Sequence, residues 1–430
     1  MDAFAYRDEK LFCEDVDVNA IAEHVGTPLY IYSANTMLDH LDEIKRAWQP
    51  IPHMVLYSVK ANSNVAVIRL LAEQGAGTEV VSQGELFRCL RAGVDPRKIV
   101  FTGVGKTAAE IEYALREGVF LFVVESLPEL FRLNEIAARL NRTAQFAIRV
   151  NPDVAPSTHP HITTGKATNK FGLDRESALE AYRQAKDMPH VSPLGIHMHI
   201  GSQILSSEPY VTAIRRVLTL IQQIGELGIE LNYFDLGGGM GVVYEEAQRH
   251  FTAEELAGEI IPLVKDLNMT VILEPGRSIV ADAGALITRV QYLKETPVKK
   301  FIVVDAGMND LIRPALYGAY HRILSTLDRG SELIEVDIVG PLCESGDSFA
   351  ENRRIPSVEA GDCLAILTAG AYASSMSSEY NSRPRCPEVL VRGGKFFIIR
   401  ERAKLSQLVE NERMPDFLSQ FSPTKAAGEE

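Results

Sequence analysis

VLYSVKA (55–61), GTEVVS (77–82), IVFTGV (99–104), LFVVES (121–126), QFAIRVNP (145–152), LGIHMHIGS (194–202), NYFDLGGG (232–239) and VILEPGR (271–277) are eight short runs rich in β-branched residues along one stretch of the chain. Between the first five lie NVAVIRLLAEQ (64–74), QGELFRCLRAG (83–93), TAAEIEYALREG (107–118) and SLPELFRLNEIAARL (126–140), whose apolar residues return at three- and four-residue steps. Strand and helix in regular alternation predict parallel βαβ units, and eight such units over about 250 residues predict a (β/α)8 TIM-type barrel. The barrel is expected over residues 38–283.

Beyond Asp282 the helical periodicity thins, and extended runs follow one another: ALITRVQYL (285–293), KFIVVDAG (300–307), LIEVDIVG (333–340), CLAILTAGAY (363–372) and EVLVRGGKFFIIR (388–400). They predict a second, mostly antiparallel β domain. LFCEDVDVNAIAEHVGTPLYIYS (11–33) precedes the first barrel strand and is free to join it, so this domain is expected from both chain ends, 1–37 and 284–430. The last residues, SPTKAAGEE, are polar and expected to fray.

With 430 residues, 46% apolar and 23% charged, the chain has ample material for a core. A net charge of −13 repels nucleic acid and anionic membrane surfaces. Five cysteines, odd in number and without a CxxC pair, suggest neither a disulfide framework nor a zinc ribbon, and point to reduced thiols in a cytoplasm. The opening MDAFAYRDEK has acids where a secretory signal needs basic and apolar residues, and the apolar run Phe120 to Val124 is too short to span a bilayer.

A barrel of this kind carries its active site at the C-terminal ends of the strands, and reactive residues do gather there. The first run ends on Lys60, the sixth on His199 with Gly201 and Ser202, the seventh on Gly237, Gly238 and Gly239, and the eighth on Glu274, Pro275, Gly276 and Arg277. Loops after strands seven and eight commonly cradle phosphate, and consecutive glycines let backbone amides approach an anion closely. A lysine at the end of an apolar strand is either a side chain reaching back to water or a reactive amine whose pKa burial lowers. A phosphate cradle on the same face favours the second reading, with pyridoxal phosphate as the group attached. Glu274 is then placed to meet the pyridine nitrogen and His199 the face of the ring, although an isolated histidine on an apolar strand is commonly a satisfied core residue.

Other patterns fail on spacing. GVGKT (103–107) lacks the glycine a phosphate-binding P-loop needs, since Val100 stands there, and LGGGMG (236–241) is followed by Val242 where a dinucleotide fingerprint needs glycine. His159/His161 and His197/His199 have strand spacing, but no cysteine or carboxylate accompanies them in the sequence, so no metal site is expected.

YSVKAN (57–62), HMHIGSQ (197–203), DLGGGMG (235–241), EPGR (274–277), DAGMNDLIRPALYGAYH (305–321), GPLCESGD (340–347) and GAYASSMSSEYNSRPR (370–385), together with VGTPLYIYS (25–33), run nearly end to end. With them the chain resembles the diaminopimelate decarboxylase family, pyridoxal-phosphate enzymes of the alanine-racemase-like fold type. The resemblance implies decarboxylation of meso-2,6-diaminopimelate to L-lysine, the last step of lysine synthesis. It makes Lys60 the cofactor-bearing lysine, with Gly239, the Glu274–Arg277 loop (Glu274, Pro275, Gly276, Arg277), His199 and Ser202 around the cofactor. Arg277, Arg313 and Tyr317 would bind substrate carboxylates, Glu344 the distant amino group, and Tyr372 both cofactor and substrate. Cys343 would be the acid that returns a proton after carbon dioxide leaves. The Cys343–Glu344 pair is expected from the other subunit of a head-to-tail homodimer. Ala373, Ser374 and Ser375 stand where relatives often have one glycine-containing step, so a slightly longer loop is expected beside Tyr372. A decarboxylase of a related basic amino acid or a racemase remains open, as does a non-catalytic cofactor carrier; carriers resemble the barrel only, and the second domain with GPLCESGD argues against one.

Overall fold

A computed structural model of the chain describes residues 3–154, 169–245 and 248–418. His159, His161 and the polar tail lie outside the described residues.

The eight predicted runs form eight parallel strands, His53–Ser58, Gly77–Val80, Ile99–Phe101, Leu121–Val124, Ala144–Val150, Val191–Met198, Tyr233–Asp235 and Thr270–Leu273. Each pairs with the next, and the barrel closes where Val271 meets His53 and Leu273 meets Val55. Leu56, Val100, Leu121, Val123, Ala147 and Ile272 fill the interior, so the barrel is a packed core with its mouth at the strands' C-terminal ends. The helices that follow start where the sequence supplies a cap. Asn64, Ser82, Thr107 and Ser126 each accept an amide of the first turn, and Thr107 with Glu110 forms a full capping box. Their apolar faces pack on the outer side of the strands in the largest core cluster.

The second layer is a nine-stranded sheet. Leu29–Ser33 lies inside it, antiparallel to Gly284–Glu295 and parallel to Glu388–Arg392. Lys300–Val304 pairs in parallel with Leu333–Val339, and the other pairs are antiparallel. Phe4–Arg7, Lys10–Cys13 and Val16–Asp17 form a separate small sheet. Neither that sheet nor the strand Ser348–Pro356 is visible in the sequence pattern. The latter places Glu351, Asn352, Arg353 and Arg354 mid-strand, where polarity hides the extended backbone.

Candidate active site

Lys60 follows the first barrel strand in a short 3-10 turn, Val59–Ala61. Its Nζ donates to both oxygens of Glu79, at 3.0 Å and 2.9 Å, and Glu79 belongs to the second strand. Thr102, one position past the third strand, donates to the same carboxylate. This corrects the expectation for the lysine. Burial does press its pKa down, but Glu79, with Tyr372 and Glu274, outweighs that and holds the ammonium well above the ordinary lysine value. Sequence reading missed Glu79; its only signal was a carboxylate inside a short predicted strand.

Glu274 stands one position past the eighth strand. Its Oε2 lies 3.4 Å from His197 Nε2, while Oε1 is buried without a hydrogen-bond partner. Asp235, from the seventh strand, joins them, and ligand-type atoms of all three groups lie within 4.8 Å of one another. Carboxylates do accompany His197, therefore, contrary to the sequence expectation: they arrive from the seventh strand and from the turn after the eighth, which spacing within one strand cannot reveal. Burial and the neighbouring Glu274 push Asp235 well above the usual carboxylate range. His199 lines the same cavity as Lys60 and Glu274, a space of about 190 Å³. Its Nδ1 accepts the amide of Gly238 at 3.3 Å, and burial, followed by Arg149 and Lys60, keeps the ring neutral.

The glycine turn is dictated by crowding. A Cβ on Gly238 would sit 2.1 Å from the carbonyl of Glu274, and one on Gly239, which has φ +107°, would sit 2.3 Å from that of Gly201. The amides of Gly239, Gly276 and Arg277 have no acceptor among the described residues, and all three residues border the cavity.

Across the cavity stand Arg277 and Arg313, both buried, and neither forms an ion pair among the described residues. Arg277 donates to the Tyr244 hydroxyl at 2.5 Å and to Ser202 Oγ at 3.1 Å, and its guanidinium lies 4.7 Å from the centre of the Tyr372 ring. Arg313 lies 4.7 Å from the centre of the Tyr244 ring. Tyr244 was not found from sequence, because nothing but its distance past the glycine turn marked it. Tyr372 holds φ +55°, and its amide donates to Ala61 at 2.8 Å, which docks the loop 370–376 onto the lysine turn. Ser374–Met376 coils into a 3-10 turn that brings Met376 to the cavity beside Tyr317.

Lys60, His199, Ser202, Gly239, Glu274, Gly276, Arg277, Arg313, Tyr317 and Tyr372 thus meet in one cavity, while Pro275 lies in the turn between two of them. Cys343 and Glu344 do not reach it: both are exposed on the turn that follows Leu333–Val339. That turn is braced by buried Asp347, which accepts the amides of Met308 at 2.6 Å and Leu342 at 2.7 Å. In GVGKT, Lys106 is buried and engaged by Glu129 at 2.7 Å and by the carbonyls of Gly103 and Val123, a structural pin. No described helix is long and apolar enough to cross a membrane.

Residues 35–281 match the family described as "Pyridoxal-dependent decarboxylase, pyridoxal binding domain". The diaminopimelate decarboxylase of Aquifex aeolicus is 45% identical over 94% of this chain and 96% of its own length, and that of Neisseria meningitidis serogroup A is 46% identical over 94% and 98%. The chain belongs to the diaminopimelate decarboxylase family. A solved diaminopimelate decarboxylase of M. jannaschii, in complex with L-lysine, superposes with a TM-score of 0.93 at 40% identity, over 97% of this chain and 99% of that one. As a diaminopimelate decarboxylase the protein takes pyridoxal phosphate, and the cavity fits that group. It offers an amine at one wall, unpartnered amides on glycine turns too tight for a side chain, and a buried carboxylate oxygen without a partner.

Proposed function

We propose that the protein removes one carboxylate of meso-2,6-diaminopimelate as carbon dioxide and leaves L-lysine. The supporting observation is the pair of buried guanidinium groups, Arg277 and Arg313, on one cavity wall with only neutral partners. A buried cation without a counter-charge is costly, and a ligand bearing more than one carboxylate supplies the missing charges in the bidentate form arginine favours.

Bound pyridoxal phosphate supplies the electron sink that lets an amino acid part with carbon dioxide. Lys60 would carry it, Gly239, Ser202 and the Glu274–Arg277 turn with Pro275 and Gly276 would hold it, and His199 would border it as a neutral ring. Glu274, fixed through Oε2, would present Oε1 to the ring nitrogen. Arg277, Arg313 and Tyr317 would orient the substrate by its carboxylates and so select which bond breaks, with Tyr372 bordering cofactor and substrate. Cys343 would return the proton to the carbon that lost carbon dioxide, and Glu344 would hold the distant amino group. Both being on the surface of their own chain, they would serve a partner's cavity in a two-fold homodimer. A cytoplasmic setting suits the five unpaired cysteines.

Incubating the cofactor-loaded protein separately with the diaminopimelate isomers, ornithine, arginine and lysine, and measuring carbon dioxide, tests the reading. Gas from meso-diaminopimelate is expected; gas from ornithine alone would overturn it.

A further inference from the structure

Behind Arg313 the chain buries a histidine to which nothing so far gives a task. His321 is fully buried, and its two nitrogens face different partners: Nδ1 lies 2.8 Å from the carbonyl of Leu367, and Nε2 lies 3.0 Å from Nη1 of Arg313. A carbonyl only accepts and a guanidinium only donates, so Nδ1 carries the proton and Nε2 presents its lone pair to Arg313. Burial, then the charges of Arg313, Arg277 and Arg353, press the imidazole pKa down to about 3, so this tautomer stays neutral. The ring is held from other sides as well. It packs edge-on against Tyr244 at 5.3 Å, and the backbone carbonyl of His321 accepts from Arg353 at 2.9 Å.

We infer that His321 is a positioning residue that fixes Arg313 for a substrate carboxylate by means of an uncharged acceptor, leaving the guanidinium's charge for the ligand. The chemistry explains the choice of residue. A carboxylate at this place would fix Arg313 equally well but would form the ion pair itself, and the incoming carboxylate would have to compete with it. Imidazole occupies one N–H of five and adds no negative charge. Tyr244 follows the same rule, lying under Arg313 and accepting from Arg277 through a neutral hydroxyl. His321 touches neither cofactor nor substrate, and acts through Arg313.

This inference rests on the functional reading above and is tested apart from it. Binding of lysine and of cadaverine, the same diamine without its carboxylate, is measured by calorimetry on the cofactor-loaded protein, with KM and kcat for diaminopimelate alongside. His321→Glu is expected to weaken lysine binding and raise KM by about tenfold or more, with kcat within about threefold and cadaverine binding unchanged. His321→Gln, which accepts and donates without charge, is expected to stay within about threefold of the parent in every measure. Unchanged lysine binding in His321→Glu overturns the inference, as does a parallel loss of cadaverine binding. Should His321→Glu fail to fold, His321→Ala carries the same comparison. If the parent protein releases no carbon dioxide from diaminopimelate yet prefers lysine to cadaverine in a His321-dependent way, the functional reading falls and this one stands.

Discussion

Lys60 and Glu79 show how one contact reverses a sequence expectation. Strand-end burial alone argues for a depressed amine, and the carboxylate that does most to outweigh it stands nineteen positions on, in the neighbouring strand, where Ser58 pairs with Glu79. Burial sums over local composition and is legible in sequence; a cross-strand ion pair depends on register and is not. Glu85 extends the network. Its burial, then the charge of Glu79, raises its carboxyl to about 7, although it accepts the amide of Val81 at 2.8 Å. Because the folded protein holds this proton more tightly than the unfolded chain, the stability it contributes is complete below the ordinary glutamate value and is lost as pH rises through 7. Denaturant unfolding of the cofactor-free protein should therefore lose stability between about pH 4.5 and 7, and Glu85→Gln, which cannot ionise, should shrink that loss by about 3 kcal/mol. An identical pH slope in parent and variant would contradict this.

At the scale of elements, the barrel was open to reading because each strand and the helix after it announce themselves locally, by periodicity and by caps such as Ser82 and Thr107. The turns at the mouth were open too, since Gly237 to Gly239 are dictated by close approach of backbone to backbone. What escaped was contributed across elements: Tyr244 between two arginines, Asp235 beside Glu274, and His321 behind Arg313. None carries a local signature, as each acts through a neighbour from a distant part of the chain. The seventh turn offers a direct test. Gly239→Ala places a Cβ 2.3 Å from the Gly201 carbonyl at φ +107°, so the turn must shift and its amide with it. Pyridoxal phosphate affinity, titrated by absorbance, should fall by at least about tenfold while the far-ultraviolet circular dichroism of the fold is retained; affinity equal to the parent's would show that this turn does not hold the group.

At the scale of the whole molecule, the chain interlocks its ends. Leu29–Ser33 lies between Gly284–Glu295 and Glu388–Arg392, so residues on either side of the barrel in sequence share one sheet, and the loop 370–376 from the second layer closes over the Lys60 turn. Asn62 adds a bond to the Gly370 carbonyl at 3.2 Å, which ties the same surfaces together. The sheet layer also carries the Cys343–Glu344 turn, held outward by Asp347 and away from its own cavity. If that turn serves a partner's cavity, each site of a two-fold dimer takes Lys60 from one chain and Cys343 from the other. Two inactive variants, Lys60→Ala and Cys343→Ala, unfolded together and refolded as a mixture, should then regain activity. Random pairing makes half the dimers mixed, each with one intact and one doubly defective site, so about a quarter of parental activity is expected. If both groups came from the same chain, no pairing would create an intact site, and the mixture would stay as inactive as its components.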